Sequence, residues 1–137
     1  MRRFKDHFLE FWDKLITKAS RTIIHDDYLL PTIISWLVAI SRFVWEIESN
    51  HYSHQTFSHK LRPLRHTATL AALQIVRSII KVVIVLRKEQ IIAQRQIDTE
   101  ELKSSKKAKV KELKDKLEDL HVKVNNLDEL LNDVFAG

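Results

Sequence analysis

Histidines, a paired acid and clustered basic residues are the groups in this chain whose types and spacing could do chemistry. His51, His54 and His59 share one aperiodic stretch. His51 and His54 stand three apart and would share a face on a helix, offering two imidazoles to a metal ion. No Cys stands beside them, and no metal site is expected. Asp26-Asp27 could in principle serve acid–base chemistry, but acids just ahead of an apolar run are what a helix N-cap requires. The single Gly is the last residue, which leaves no glycine-rich phosphate loop, and no GxSxG, HExxH or Cys/His arrangement occurs. The sequence therefore predicts no enzyme and no cofactor.

What remains is charge. The net charge is +5, and it is unevenly placed. Arg2, Arg3 and Lys5 open the chain. Lys103, Lys106, Lys107, Lys109 and Lys111 lie within nine residues, and the stretch 103–116 holds seven Lys against Glu112 and Asp115. From 117 to 137 one Lys faces five acids. A basic elbow followed by an acidic helix is a polarised surface suited to a polyanion or simply to solvent. Nothing resembles a recognition helix with Asn, Gln or Arg aimed at a groove, so such lysines and arginines would touch phosphate and read no base.

The elements that must position these groups are helices. One Gly and two Pro in 137 residues, with 45% hydrophobic residues, argue for long helices around a core. The residues Val110, Leu113, Leu117, Leu120, Val124, Leu127, Leu131 and Val134 step by alternating threes and fours, the a/d pattern of a coiled-coil seam. Between Leu70 and Leu86 only Gln74, Arg77, Ser78 and Lys81 are polar, and a helix so apolar must be covered on more than one side. Ser104-Ser105 is the expected turn of a long antiparallel hairpin, and Ala136-Gly137 its end. Upstream, residues 4–19 show an apolar face of Phe4, Phe8, Phe11, Trp12, Leu15 and Ile16, and residues 32–43 a second apolar helix with Pro31 in its first turn. The aromatics Phe8, Phe11, Trp12 and Trp36 fall at core spacing. The expected core is Trp12, Leu15, Ile34, Leu37, Leu73, Ile75, Val76, Ile80 and Val83. Residues 46–62 read as a loop, with Pro63 at the first position of the long helix. The opening Met-Arg-Arg-Phe-Lys runs into Asp6 and His7, so no secretory leader is expected, and Lys81 interrupts the longest apolar stretch, so no membrane span is expected. The absence of Cys excludes disulfides and thiolate metal sites.

At Arg65-His66-Thr67-Ala68-Thr69-Leu70-Ala71-Ala72-Leu73 the sequence resembles the STAG domain of the stromalin (stromal antigen) family, the HEAT-repeat subunits of cohesin. Arg2-Arg3-Phe4-Lys5 with Phe8 and Phe11 is similar to the basic, aromatic opening of that domain. Residues 23–30 and 32–37 are similar to its second helix. Gln94-Arg95-Gln96 and Asn132-Asp133-Val134-Phe135-Ala136-Gly137 are similar to the hairpin that follows. Leu64 departs from the family's Phe, and residues 42–56 look like an insertion where the family has a short connection.

The resemblance implies an all-α, HEAT-like helical bundle with a long antiparallel hairpin, divided into helices 1 and 2 (1–45), a loop or insertion (46–62) and the hairpin (63–137). It implies a nuclear, non-enzymatic chromosome protein in sister-chromatid cohesion. Its partners would be DNA, bound without sequence preference, and the cohesin complex, whose kleisin is gripped mostly by parts of the family beyond this length. It adds weight to Arg2, Arg3 and Lys5 as a DNA-contacting group, beside Lys103, Lys106, Lys107 and Lys109. A competing expectation is a stand-alone coiled-coil scaffold whose seam pairs with another chain, because beyond Leu86 the outgoing helix offers only Ile91, Ile92, Ala93 and Ile97 to the seam. Basic helices on an anionic membrane are disfavoured, since no exposed Trp or Phe adjoins the lysine cluster.

Overall fold

The computed structural model describes the backbone of residues 2–20, 22, 25–26, 28–49, 55–102 and 107–136; the side chains of 2, 41–49, 55–61, 107 and 136 are outside that description. Four helices follow one another: α1 (Arg2–Lys18), α2 (Leu29–Ser49), α3 (Gln55–Leu102) and α4 (Lys107–Ala136), with no strand among the described residues. The all-α expectation holds. The chain divides into two compact units, Met1–Ile79 and Ile80–Gly137, and α3, 48 residues long, runs through both.

The first unit contains α1, α2 and the amino-terminal part of α3. Its core is Ile16, Leu30, Ile34, Ala68, Ala71, Ile75, Val76 and Ile79. Ala68, Ala71, Ile75 and Ser78 step by threes and fours along one side of α3, and three of the four are small, which lets the neighbouring backbone approach closely. Within that approach the Ser78 hydroxyl, fully buried, donates to Asp13 Oδ1 of α1 at 2.6 Å, and Gln74 Nε2 donates to the same oxygen at 3.3 Å and to Ser78 Oγ at 3.2 Å. Asp26 Oδ1 accepts from the Tyr28 backbone N–H two residues on, an Asx turn that leads into α2, and Pro31 sits in that helix's first turn as expected.

Of the expected core, Ile34, Ile75, Val76 and Val83 are buried and Trp12 and Leu37 half-buried, but Leu15, Leu73 and Ile80 are 41%, 61% and 42% exposed. Leu73 and Ile80 lie two helical turns apart, on the side of α3 away from the small residues, and the neighbours dock where small side chains bring them closest. The aromatics correct the sequence reading in the same way. Phe8 and Trp12 are half-buried, while Phe11 and Trp36 are 55% and 69% exposed. Phe4, also expected to turn inward, is exposed as well. Trp36 is two residues from buried Ile34, about 200° around the helix, and so faces away. Phe4, Phe8 and Trp12 instead form a ladder along α1, with ring centroids 6.1 and 6.2 Å apart.

The loop expected over 46–62 is largely helix. α2 continues to Ser49 and α3 begins at Gln55, placing Pro63 inside a helix instead of at its start. Once a helix is nucleated by burial further on, extending it over Ser, Thr and His costs only modest propensity. The expected insertion, 42–56, falls on α2, on α3 and on residues outside the description.

The second unit is the antiparallel hairpin. All eight expected seam positions of α4 are buried or half-buried, Leu120, Val124 and Leu127 most deeply. The facing stripe of α3 runs Val83, Leu86, Gln90, Ala93, Ile97 and Glu100, again in threes and fours, and none of the six is exposed. Ile91 and Ile92, expected in the seam, are both 54% exposed, whereas Ala93 and Ile97 are buried. The stripe was hidden in the sequence because Gln90 and Glu100 occupy two of its positions. Arg87 pairs with Asp128 at 2.7 Å, Glu101 with Lys114 at 2.8 Å and Glu100 with Lys109 at 3.0 Å. Arg87, early in this part of α3, meets the later turns of α4, while Glu100 and Glu101 near the end of α3 meet the first turns of α4, which only an antiparallel pair allows. The turn at Ser104-Ser105 lies outside the described residues.

By length and composition the stretch Arg62–Leu102 is apolar enough to cross a membrane, against the expectation from unbroken runs; a core helix meets the same criterion, and half of its most apolar window is buried inside the protein.

Ile79→Ala, at a fully buried site, should cost about 2–5 kcal/mol in chemical denaturation, while Leu73→Ala should change stability by less than about 0.5 kcal/mol. Comparable losses at both sites would contradict this core.

Candidate nucleic-acid interface

The two basic groups stand at two helix starts. α1 begins at Arg2 and α4 at Lys107, and neither first turn contains an acid. Helix amino termini carry unsatisfied N–H groups and a positive partial charge, so basic residues there repel the helix end and favour an anion beside it. Arg3 and Lys5 are exposed in the opening turns of α1. The Arg2 side chain lies outside the described residues, as do Lys103, Lys106 and the side chain of Lys107. Lys109 is exposed and bound to Glu100 at 3.0 Å, so it is already partly neutralised. Lys111 is exposed one residue pair further along α4. The two groups belong to different compact units.

α1 carries these charges on a helix anchored from within. Asp13, the acceptor of the Ser78 and Gln74 hydrogen bonds, lies on the same helix as Arg3 and Lys5. On the outer side of α1, Lys14 pairs with Glu10 at 2.6 Å, and this hydrogen bond, with the charge of Lys14, holds the exposed Glu10 carboxyl below its usual range. Sequence reasoning missed the buried contact. Its signal was present: Gln74 and Ser78, four apart, are polar residues inside an otherwise apolar stretch, and buried polar groups need partners.

The histidines His51, His54 and His59 fall where side chains are not described, and no cluster of metal-binding side chains occurs among the described residues.

The segment Arg65–Leu73 folds as one turn after another of α3. Ala68 and Ala71 are buried and His66 and Thr67 exposed, and the hydroxyls of Thr67 and Thr69 donate to the carbonyls of Pro63 and Arg65, at 2.7 and 2.9 Å. The model of the STAG domain matches residues 1–116. The chain belongs to the STAG domain family. Over 99% of its length it is 28% identical to cohesin subunit SA-1 of Xenopus laevis, and over 100% it is 26% identical to sister-chromatid cohesion protein 3 of Arabidopsis thaliana. It spans about a tenth of these relatives, 10% and 11% of their lengths. Putative STAG3-like protein 4 of Homo sapiens is 26% identical over 72% of the chain, and the match covers 55% of that protein. In this STAG chain it is Ala68 and Ala71, just after Arg65-His66-Thr67, that supply the small buried face of the first unit.

Asp13→Ala should destabilise the STAG fold by about 1–3 kcal/mol, because it strands the buried Ser78 hydroxyl and Gln74 amide. The double variant Asp13→Ala/Ser78→Ala should lose less than the sum of its single changes in a denaturation cycle. Strict additivity would show that the contact is not a coupled unit.

Proposed function

We propose that this chain acts as the STAG-domain portion of a cohesin subunit in sister-chromatid cohesion, in the nucleus, without enzymatic activity. The observation that carries the reading is the STAG match over residues 1–116 together with relatives named as cohesin and cohesion proteins. The cohesin complex is the implied partner. Within that role the chain contacts DNA phosphates through Arg2, Arg3 and Lys5 at the start of α1, and through Lys103, Lys106, Lys107 and Lys109 at the start of α4. Two features support this: acid-free helix amino termini beneath both groups, and the exposure of Arg3, Lys5 and Lys109. The helices present basic residues to a backbone without inserting any into a groove, so binding is independent of sequence. The scaffold alternative loses its main support, since the seam of α4 is occupied by the chain's own α3.

The test is fluorescence anisotropy with labelled duplex. Affinity should fall steeply between about 50 and 200 mM salt as neutralised phosphates release counterions. Charge reversal at Arg2, Arg3 and Lys5 should abolish binding, and reversal at Lys106, Lys107 and Lys109 should weaken it. Glu100→Gln releases Lys109 from its ion pair and should strengthen binding at low salt, at a stability cost of about 0–1 kcal/mol. Affinity indifferent to salt and to the α1 reversal would exclude phosphate contact by these residues.

A further inference from the structure

The outer side of α3 in the second unit is apolar, basic and uncovered. Ile80, Ile84 and Ile91 are 42%, 49% and 54% exposed. At about 100° per residue they fall within roughly 40° of one line along the helix. Val85 and Ile92, 52% and 54% exposed, form a second line about a quarter turn further round. Lys88 and Arg95, both exposed, stand between the two lines. The seam residues Leu86, Ala93 and Ile97 occupy the opposite side of the same helix. From 80 to 95 the exposed charged residues are Lys81, Arg87, Lys88 and Arg95, all basic, and the one acid, Glu89, is half-buried. A helix apolar on both sides requires cover on both, and α4 supplies it on one.

We propose that this face is a docking surface for an amphipathic helix of a partner protein, whose apolar stripe is bordered by Asp or Glu. Ile80, Ile84 and Ile91 make a ridge of stiff, β-branched side chains at the spacing that enters the groove of another helix. The row of Lys88 and Arg95 beside that ridge selects acids on the incoming helix and rejects bases.

A second copy of this chain does not fit. An isologous two-fold contact would set this basic face against itself, Lys88 and Arg95 of one copy facing the basic row of the other. The acidic later part of α4 has its apolar stripe in the seam, and among the described residues the large apolar side chains that α4 shows outward are Val122 and Phe135, thirteen residues apart. An anionic membrane fits less well than a helix, because no aromatic residue lies between 80 and 95 to settle at the headgroups. The proposal is independent of DNA contact and uses none of the residues assigned to phosphate.

The probe is a labelled synthetic heptad peptide with Leu at a and d and Glu at e and g, whose like charges keep it from pairing with itself. The control peptide carries Lys at e and g. In anisotropy titrations against the full 137-residue chain, the Glu peptide should bind and the Lys peptide should not. Ile84→Asp/Ile91→Asp should weaken binding by about tenfold or more. Lys88→Glu/Arg95→Glu should weaken the Glu peptide and confer binding on the Lys peptide. All four sites are exposed, so circular dichroism and melting should stay unchanged. Absence of Glu-peptide binding, or binding that ignores both double variants, overturns the proposal. A wild-type dimer in sedimentation that Ile84→Asp/Ile91→Asp dissolves would overturn it in favour of a second copy. Capture by phosphatidylserine vesicles with no peptide binding would overturn it in favour of a membrane.

Discussion

A 48-residue helix whose 70–86 stretch is apolar almost all round cannot persist alone in water, and the packing of the other helices answers that constraint. In the first unit α1 and α2 share a core with α3 through Ile16, Leu30 and Ile34; in the second α4 covers it through Leu120, Val124 and Leu127. The two solutions differ in kind. The first relies on small residues, Ala68, Ala71 and Ser78, that allow close approach. The second is a regular seam in which threes and fours on one helix meet threes and fours on the other.

Each unit also contains a polar device that fixes geometry more than it adds stability. In the first, one carboxylate oxygen of Asp13 takes the Ser78 hydroxyl and the Gln74 amide in a site where the hydroxyl is cut off from solvent. A buried hydrogen-bonded group tolerates little sliding, so α1 is held at one axial position on α3. In the second, Gln90 and Glu100 interrupt the seam, and Glu100 meets Lys109 near the hairpin's end. Such surface-edge pairs contribute little energy, but a polar residue at a seam position disfavours any shift that would leave it buried against an apolar partner.

The charges follow the helix ends. Basic residues crowd the starts of α1 and α4, where helix N–H groups already point outward, and the acids gather in the later turns of α4. Each start is unfavourable by itself and is relieved by an anion. The proposed phosphate contact at those points would need no base recognition.

Some of this was legible in the residues alone. The α4 seam was fixed by its period, because eight apolar positions at 3.5-residue spacing have only one side to share. The all-α class followed from one Gly and two Pro, and the family from a short run of residues beginning at Arg65. Other features needed the tertiary structure. Which side of α3 is buried could not be read from a stretch apolar all round, since Leu73 and Ile80 carry the same transfer free energy as Ile75 and Ile79. Close approach decided it, and close approach depends on where Ala and Ser lie relative to a neighbour. The partner stripe on α3 was masked by Gln90 and Glu100, and the role of Ser78 by the 65 residues separating it from Asp13. Local periodicity reports which residues share a face; only packing reports which face is covered.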